Sequence, residues 1–252
     1  MKNGLILCEG ITDFTLLQYY LESVYGWKDE IRGEEQRRIL RFAGQGTKSR
    51  KFLSKDHDRT LTIAATGGVS KIFPCLKDVI TLNKISTPDD TFYNRIMIFT
   101  DNDDVGTKQQ WHDDILGYIC SVDGIVVESS NEDRFYCKIK RNVDYDNFFE
   151  IILMVLPYNE IGALETFLLE SISEDDKYDA NIIKKGNEFV ENVDPEGRYL
   201  KQRRLLTKAK FDVYFSVRSP QEQFGMRRDI LRNIKWQNYE KINDAFKIFE
   251  EF

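Results

Sequence analysis

Apolar positions change their spacing several times along the chain, and each change predicts an element. Residues 4–8, Gly-Leu-Ile-Leu-Cys, form a short unbroken apolar run, as expected of a strand buried on both faces. Glu9-Gly10-Ile11-Thr12 interrupts the run. Phe14, Leu17, Leu21 and Val24 then recur at helical spacing, with Thr12 as the expected N-cap. A weaker strand signal at residues 39–43 leads into a loop around Gly44 and Gly46. Residues 61–65 predict another strand, Thr66-Gly67-Gly68 a turn, and residues 69–83 a helix bent at Pro74. The clearest buried strand is 95–100, running into Asp101-Asn102-Asp103-Asp104-Val105-Gly106. A helix through Trp111 and Ile115 and a strand at 124–127 follow.

Strands alternating with helices predict an α/β fold with a mostly parallel sheet and helices on both faces. Ligands of such sheets sit at the carboxyl ends of the strands. Glu9 and the Asp101/Asp103 pair each follow a strand directly, which puts them on one sheet edge. Residues 135–140 and 148–156 read as two more strands joined by a polar loop. Residues 162–172 predict a helix with Leu164, Phe167, Leu168 and Ile172 inward. Residues 173–197 are polar, with room for a short helix, and the remainder is helical with Ile242, Phe246 and Phe249 on one face. Phe148, Phe149, Phe167, Phe246 and Phe249 are expected in the core. The expected organisation is a catalytic domain over 1–156 and an α-rich C-terminal extension over 157–252.

Composition narrows the class. The chain has 252 residues, 41% of them hydrophobic and 31% charged, as in ordinary globular proteins. No apolar run approaches the roughly 20 residues needed to span a bilayer. The N-terminus lacks the apolar core of a signal peptide, so a cytoplasmic protein is expected, with no membrane partner. Cys8, Cys75, Cys120 and Cys137 are scattered with no CxxC pair, which predicts buried thiols rather than a zinc site. Only His57 and His112 supply imidazole, so surface or capping roles are expected for them. The net charge of −6 argues against a general nucleic-acid coat, though a local basic face remains open.

Carboxylates are therefore the chemistry the chain can offer. Two of them roughly 4 Å apart repel by about 4 kcal/mol at an effective dielectric of about 20. Several converging on one sheet edge call for a cation, and Mg²⁺ prefers carboxylate and water oxygens. An Asp-x-Asp after a strand can present both side chains to one ion. Gly10 and Gly106 are expected to let the backbone turn sharply near a substrate phosphate. A lone Glu-Gly or Asp-x-Asp is usually a solvated turn. Both together, each after a buried strand and in this order, point to a metal site.

These residues resemble a known family. Leu5-Ile6-Leu7-Cys8-Glu9-Gly10-Ile11-Thr12-Asp13 resembles the first motif of Toprim domains, and Ile96-Met97-Ile98-Phe99-Thr100-Asp101-Asn102-Asp103 resembles their second. Toprim domains occur in primases, topoisomerases and nucleases of the OLD (overcoming lysogenisation defect) type. The resemblance implies that Glu9 is a metal ligand or general acid/base and that Asp101 and Asp103 are metal ligands. It implies Asp13 as a second-metal ligand, as in OLD-like members, and Mg²⁺ or Mn²⁺ as cofactor. Ala65-Thr66-Gly67-Gly68-Val69-Ser70-Lys71 is similar to the glycine-turn segment of OLD-like proteins. Leu156-Pro157-Tyr158-Asn159, Gly162-Ala163-Leu164-Glu165 and Thr207-Lys208-Ala209-Lys210 are similar to small stand-alone Toprim-like proteins of the DUF3226 type. The motifs are specific over residues 4–106 and thinner beyond. The chain has no Walker A sequence, no zinc domain of a primase and no tyrosine-bearing topoisomerase domain.

Secondary candidates are Glu165 as a metal ligand, and Lys208 and Lys210 as catalytic lysines that hold the scissile phosphate. Each has a plain alternative as a solvated helix charge. Gly10, Gly67, Gly68, Lys71, Arg203 and Arg204 are candidates for phosphate or nucleic-acid binding, as is the basic stretch Arg37, Arg38, Arg41, Lys48, Arg50 and Lys51. Asp104 is expected to be exposed, or to reach a metal through water. The leading expectation is a Mg²⁺/Mn²⁺-dependent nuclease, on DNA before RNA, serving mobile-element or phage defence. Asp101-x-Asp103 also fits the nucleophile motif of a haloacid-dehalogenase-like phosphatase, though that motif normally ends the first core strand. A third expectation is a latent effector controlled by a separate ATPase. A homodimer is left open.

Overall fold

The structure is a computed structural model that describes residues 2–29, 48–86, 92–140, 147–220 and 227–252. The strand expected at 39–43, the loop after it, and Arg37, Arg38 and Arg41 lie outside the described residues. Strand β1 (Lys2–Cys8) is buried from Leu5 to Cys8, as its apolar run requires. Helix α1 (Ile11–Tyr19) follows and continues as a π-helical turn over Tyr20–Val24. Its N-cap is Gly10, not Thr12. Two strands without a clear apolar signal come next, β2 (Lys28–Asp29) and β3 (Lys48–Leu53). Strand β4 (Arg59–Ala65), helix α2 (Val69–Ile85) and strand β5 (Arg95–Asp101) match the central pattern. Helix α3 (Thr107–Ser121) leads to β6 (Ile125–Ser130), β7 (Arg134–Ile139) and β8 (Asn147–Leu156).

These strands form one eight-stranded sheet in the order β2-β3-β4-β1-β5-β8-β7-β6. Strand β1 runs parallel to both β4 and β5, in register Cys8↔Ala65 and Cys8↔Phe99. The flanks are antiparallel: β2 with β3, β3 with β4, β6 with β7 and β7 with β8. The fold is thus mixed α/β, and its sheet is mostly antiparallel rather than mostly parallel. The reason lies in the connections. Short links, such as 54–58 between β3 and β4 and 131–133 between β6 and β7, can join only antiparallel neighbours, whereas parallel neighbours need a crossover. Here α2 makes a crossover from β4 past β1 to β5.

By its contacts the chain divides into two compact units: Met1–Thr100 with Gly106–Val155 and Phe249–Phe252, and Asp101–Val105 with Leu156–Ile248. The first has a core of Leu5, Leu7, Ile96 and Ile98 against Ile72, Leu76 and Ile80 of α2 and Ile115 and Ile119 of α3, continued by Phe135, Phe149 and Ile151. Phe149 is buried but Phe148 is 59% exposed, contrary to the expectation for both. Adjacent residues of a strand face opposite sides, so they cannot share one core. Three of the four cysteines are buried, and Cys120 is exposed.

The second unit is helical: α4 (Leu164–Asp175), α5 (Lys177–Val193), α6 (Arg203–Arg218), α7 (Arg227–Asn233) and α8 (Glu240–Phe246). Its polar stretch holds a 17-residue helix, α5, not a short one. Only Ile183, Gly186 and Val190 of α5 are buried, so a narrow stripe anchors it and its composition looks like a loop. Asp176 caps it, accepting from the N–H groups of Tyr178 and Asp179. Phe211, Phe215 and Trp236 build an aromatic core in which Trp236 donates to the Leu231 carbonyl at 2.6 Å. Ile242, Phe246 and Phe249 are buried as the pattern predicts.

Candidate active site

The first acidic turn lies at the carboxyl ends of β1 and β4. Main-chain groups build it. The Glu9 carbonyl accepts from the N–H groups of Gly67 and Gly68, both at 3.0 Å, and the Cys8 carbonyl accepts from the Thr66 N–H at 2.9 Å. Gly67 and Gly68 have φ of 81° and 139°, conformations that side chains rarely adopt, so this turn needs glycine. Gly10 does not: its φ of −139° is extended backbone. Its N–H instead donates to Asp13 Oδ2 at 2.8 Å. Asp13 is buried and satisfies a donor at the start of α1, where a negative charge is also favoured. Lys71 is exposed, and its N–H donates to the Gly68 carbonyl.

Register adds residues that sequence patterns did not single out. Leu5 pairs with Thr62 and Ile96, and Leu7 with Ala64 and Ile98. Two residues further, Glu9 stands level with Thr66 and Thr100. Thr66 is fully buried and its hydroxyl bonds the Cys8 carbonyl at 3.2 Å. Thr100 is 2% exposed, and its Oγ1 has no hydrogen-bond partner among the described residues. A buried hydroxyl without a partner costs about 1–3 kcal/mol. The signal for both was period-two alternation, continued within β5 to Thr100 and one step past the end of β4 to Thr66. Burial, with the charges of Asp13 and Glu9 nearby, pushes the Cys8 thiol well above its ordinary value. Cys8 therefore stays a neutral thiol and no nucleophile.

The second acidic turn, Asp101–Val105, is built by main chain and side chains together: the Asn102 N–H donates to the Leu156 carbonyl at 2.7 Å, and the Asn102 carbonyl accepts the Gly162 N–H at 2.9 Å. Asp101 Oδ1 accepts the Leu164 N–H at 3.0 Å, at the start of α4. Asn102 bridges to Gly162, and its Nδ2 donates to the carbonyls of Pro157 at 3.1 Å and Glu160 at 2.8 Å. Asp103 Oδ1 holds Arg203 Nη2 at 2.8 Å. Asp104 is exposed, as expected, and accepts the Val105 N–H. Gly162 matters by proximity: a Cβ there would lie 2.9 Å from Thr166. Gly106, with φ of 83°, turns the chain as expected.

The remaining candidates also lie in the second unit. Glu165 is 5% exposed, so the solvated alternative for it fails. Lys210 pairs with Glu191. Arg204 is exposed and Lys208 half-buried, and neither forms an ion pair among the described residues. Arg203 and Lys210 line a cavity of about 630 Å³ with Thr207, Asn187 and residues of α4 and α5. His112 contacts Asp113 and the Phe135 ring, a local role. Among the described residues no group of three or more His, Cys, Asp or Glu stands ready to hold a metal ion. Asp13, Asp101 and Asp103 are each engaged by a donor of the chain itself.

A family model described as "Protein of unknown function (DUF3226)" matches residues 3–250. The chain belongs to this family. Both acidic turns, the glycine turn and the basic run on α6 thus fall inside the DUF3226 match. No curated protein matches the chain. The crystal structure of hypothetical protein PH0156 from Pyrococcus horikoshii OT3 is similar, with 17% identity and a TM-score of 0.52 over 88% of this chain and 92% of that one. At that identity the likeness is one of fold. No helix among the described residues is long and apolar enough to cross a membrane.

Proposed function

We propose that this chain is a Toprim-type, Mg²⁺- or Mn²⁺-dependent phosphodiesterase that cleaves nucleic acid. One observation carries the reading: β1 and β5 are parallel neighbours in register Cys8↔Phe99, and each runs into an acidic turn at its carboxyl end. Carboxyl ends of parallel strands are where such sheets bind ligands. The donor set fits a hard divalent ion, since every candidate offers carboxylate oxygens. Asp103 already accepts a cation, the Arg203 guanidinium, in a pair 46% and 54% exposed. Exposed pairs contribute at most about 1 kcal/mol, so a divalent ion can displace this one.

Glu9, Asp101 and Asp103 would hold the ion, with Glu9 also the group that accepts or returns a proton. Asp13 and Glu165 would support from the starts of their helices. Bound metal would polarise a phosphoryl oxygen and lower the pKa of a bound water. Lys208 and Arg204 would neutralise phosphate, and the glycine turn at Gly67 and Gly68 would let backbone approach it. The test is incubation of the purified chain with plasmid, single-stranded DNA and RNA in Mn²⁺ or Mg²⁺. Cleavage that disappears with Glu9→Gln supports the reading. Intact nucleic acid alongside hydrolysis of p-nitrophenyl phosphate would favour the phosphatase alternative built on Asp101. Inertness on both without a partner would favour an effector controlled in trans.

A further inference from the structure

Arg203 is the cation of the α6 basic run that the acidic turn holds. It opens α6, is about half exposed, and reaches Asp103 Oδ1 at 2.8 Å. Its neighbours Arg204 and Lys208 have no acid partner among the described residues, and Lys210 is committed to Glu191. Arg203 also lines the cavity of about 630 Å³ beside Thr207, so its side chain has open space to turn into. Asp103 and Arg203 therefore occupy one another: a metal at Asp103 would compete with the guanidinium, and a phosphate at Arg203 would compete with the carboxylate.

We propose that this pair is an exchangeable counter-ion switch that couples divalent-metal binding to phosphate binding. The inference rests on the phosphodiesterase reading and adds a regulation to it. A metal ion taking Asp103 releases Arg203 toward a nucleic-acid phosphate, and a phosphate taking Arg203 releases Asp103 toward the metal. The coupling is reciprocal, because each ligand removes the same competitor from the other's site. Without metal, the free protein thereby binds nucleic acid about two- to fivefold more weakly. Arginine suits the task, since its planar fork matches both carboxylate and phosphate.

The test reads binding rather than turnover. In EDTA, anisotropy of a labelled ten-nucleotide single strand is measured for the full chain and for Asp103→Asn, Asp104→Asn and Asp103→Asn/Arg203→Met. Loss of a proposed metal ligand should strengthen metal-free binding about two- to fivefold. Asp104→Asn, which removes the same charge one residue away, should do less, and the double variant should lose the gain. Calorimetric titration with Mn²⁺ alone should show Arg203→Met binding the ion about two- to fivefold more tightly than the wild type. An unchanged affinity for the strand in Asp103→Asn, or a gain that survives in the double variant, overturns the switch. If Mn²⁺ binds equally to the wild type, Asp103→Asn and Glu9→Gln, the metal reading itself falls and the switch with it. If Mn²⁺ binding requires these acids yet ignores Arg203→Met, the metal reading stands and the switch alone is overturned.

Discussion

The two acidic turns use their candidate carboxylates differently. In the Glu9 turn the Glu9 carbonyl holds the N–H groups of Gly67 and Gly68, and the Asp13 side chain holds the Gly10 N–H. In the Asp101–Val105 turn the main-chain bonds of Asn102 act beside two of the proposed metal ligands, Asp101 on the Leu164 N–H and Asp103 on Arg203. At Asp101 a loss of activity on replacement mixes chemistry with structure, whereas at Glu9 the carbonyl that holds the glycine turn survives any replacement.

Several measurements can break or sharpen this contrast. The largest effect is expected from Glu9→Gln: at least about a 10²-fold loss of metal-dependent cleavage, with stability within about 0.5 kcal/mol of wild type in urea denaturation. A comparable fall in stability would mean that the carboxylate itself holds the turn. Gly162→Ala should cost about 1–3 kcal/mol, because its methyl would meet Thr166 and disturb the seat of Asn102. A neutral result by thermal denaturation would show that the second turn does not depend on that seat. Asp101→Ala should cost about 1 kcal/mol through loss of its bond at the start of α4, and an unchanged melting temperature would put Asp101 on the same footing as Glu9. Thr100→Val should leave stability unchanged or raise it by up to about 1 kcal/mol, since the hydroxyl is buried without a partner. Should that variant prove stable but impaired in metal binding or cleavage, the hydroxyl serves the site; a clear destabilisation would show that it has a structural partner after all.

Much of the central fold was legible because its signals are local. The runs at 4–8, 61–65 and 95–100 are largely apolar on both faces, as a strand covered on both sides requires. The glycines at 67 and 68 announce a turn because few other residues reach their φ. The β2–β3 flank was harder. Strand β3, Lys-Ser-Arg-Lys-Phe-Leu, has one fully buried side chain, Phe52, so its alternation barely registers. Helix α5 hid for a similar reason, with a buried stripe only three residues deep. Phe148 and Phe149 carry equal hydrophobicity, and only their opposite directions on β8 separate them.

What the sequence alone determined is the order and chemistry of the pieces: acid-bearing turns after apolar strands, a glycine turn between them, and a basic run far along the chain. Local sterics and hydrophobic periodicity suffice for that, because they act over a few residues. Tertiary structure decided the rest. It set β1 beside β4 and β5 in one register, gave Asp101 to the Leu164 N–H 63 residues away, left the Thr100 hydroxyl buried without a partner, and set Arg203 on Asp103 across 100 residues. Such pairings depend on which surfaces meet when the chain closes, and no spacing along the sequence records that.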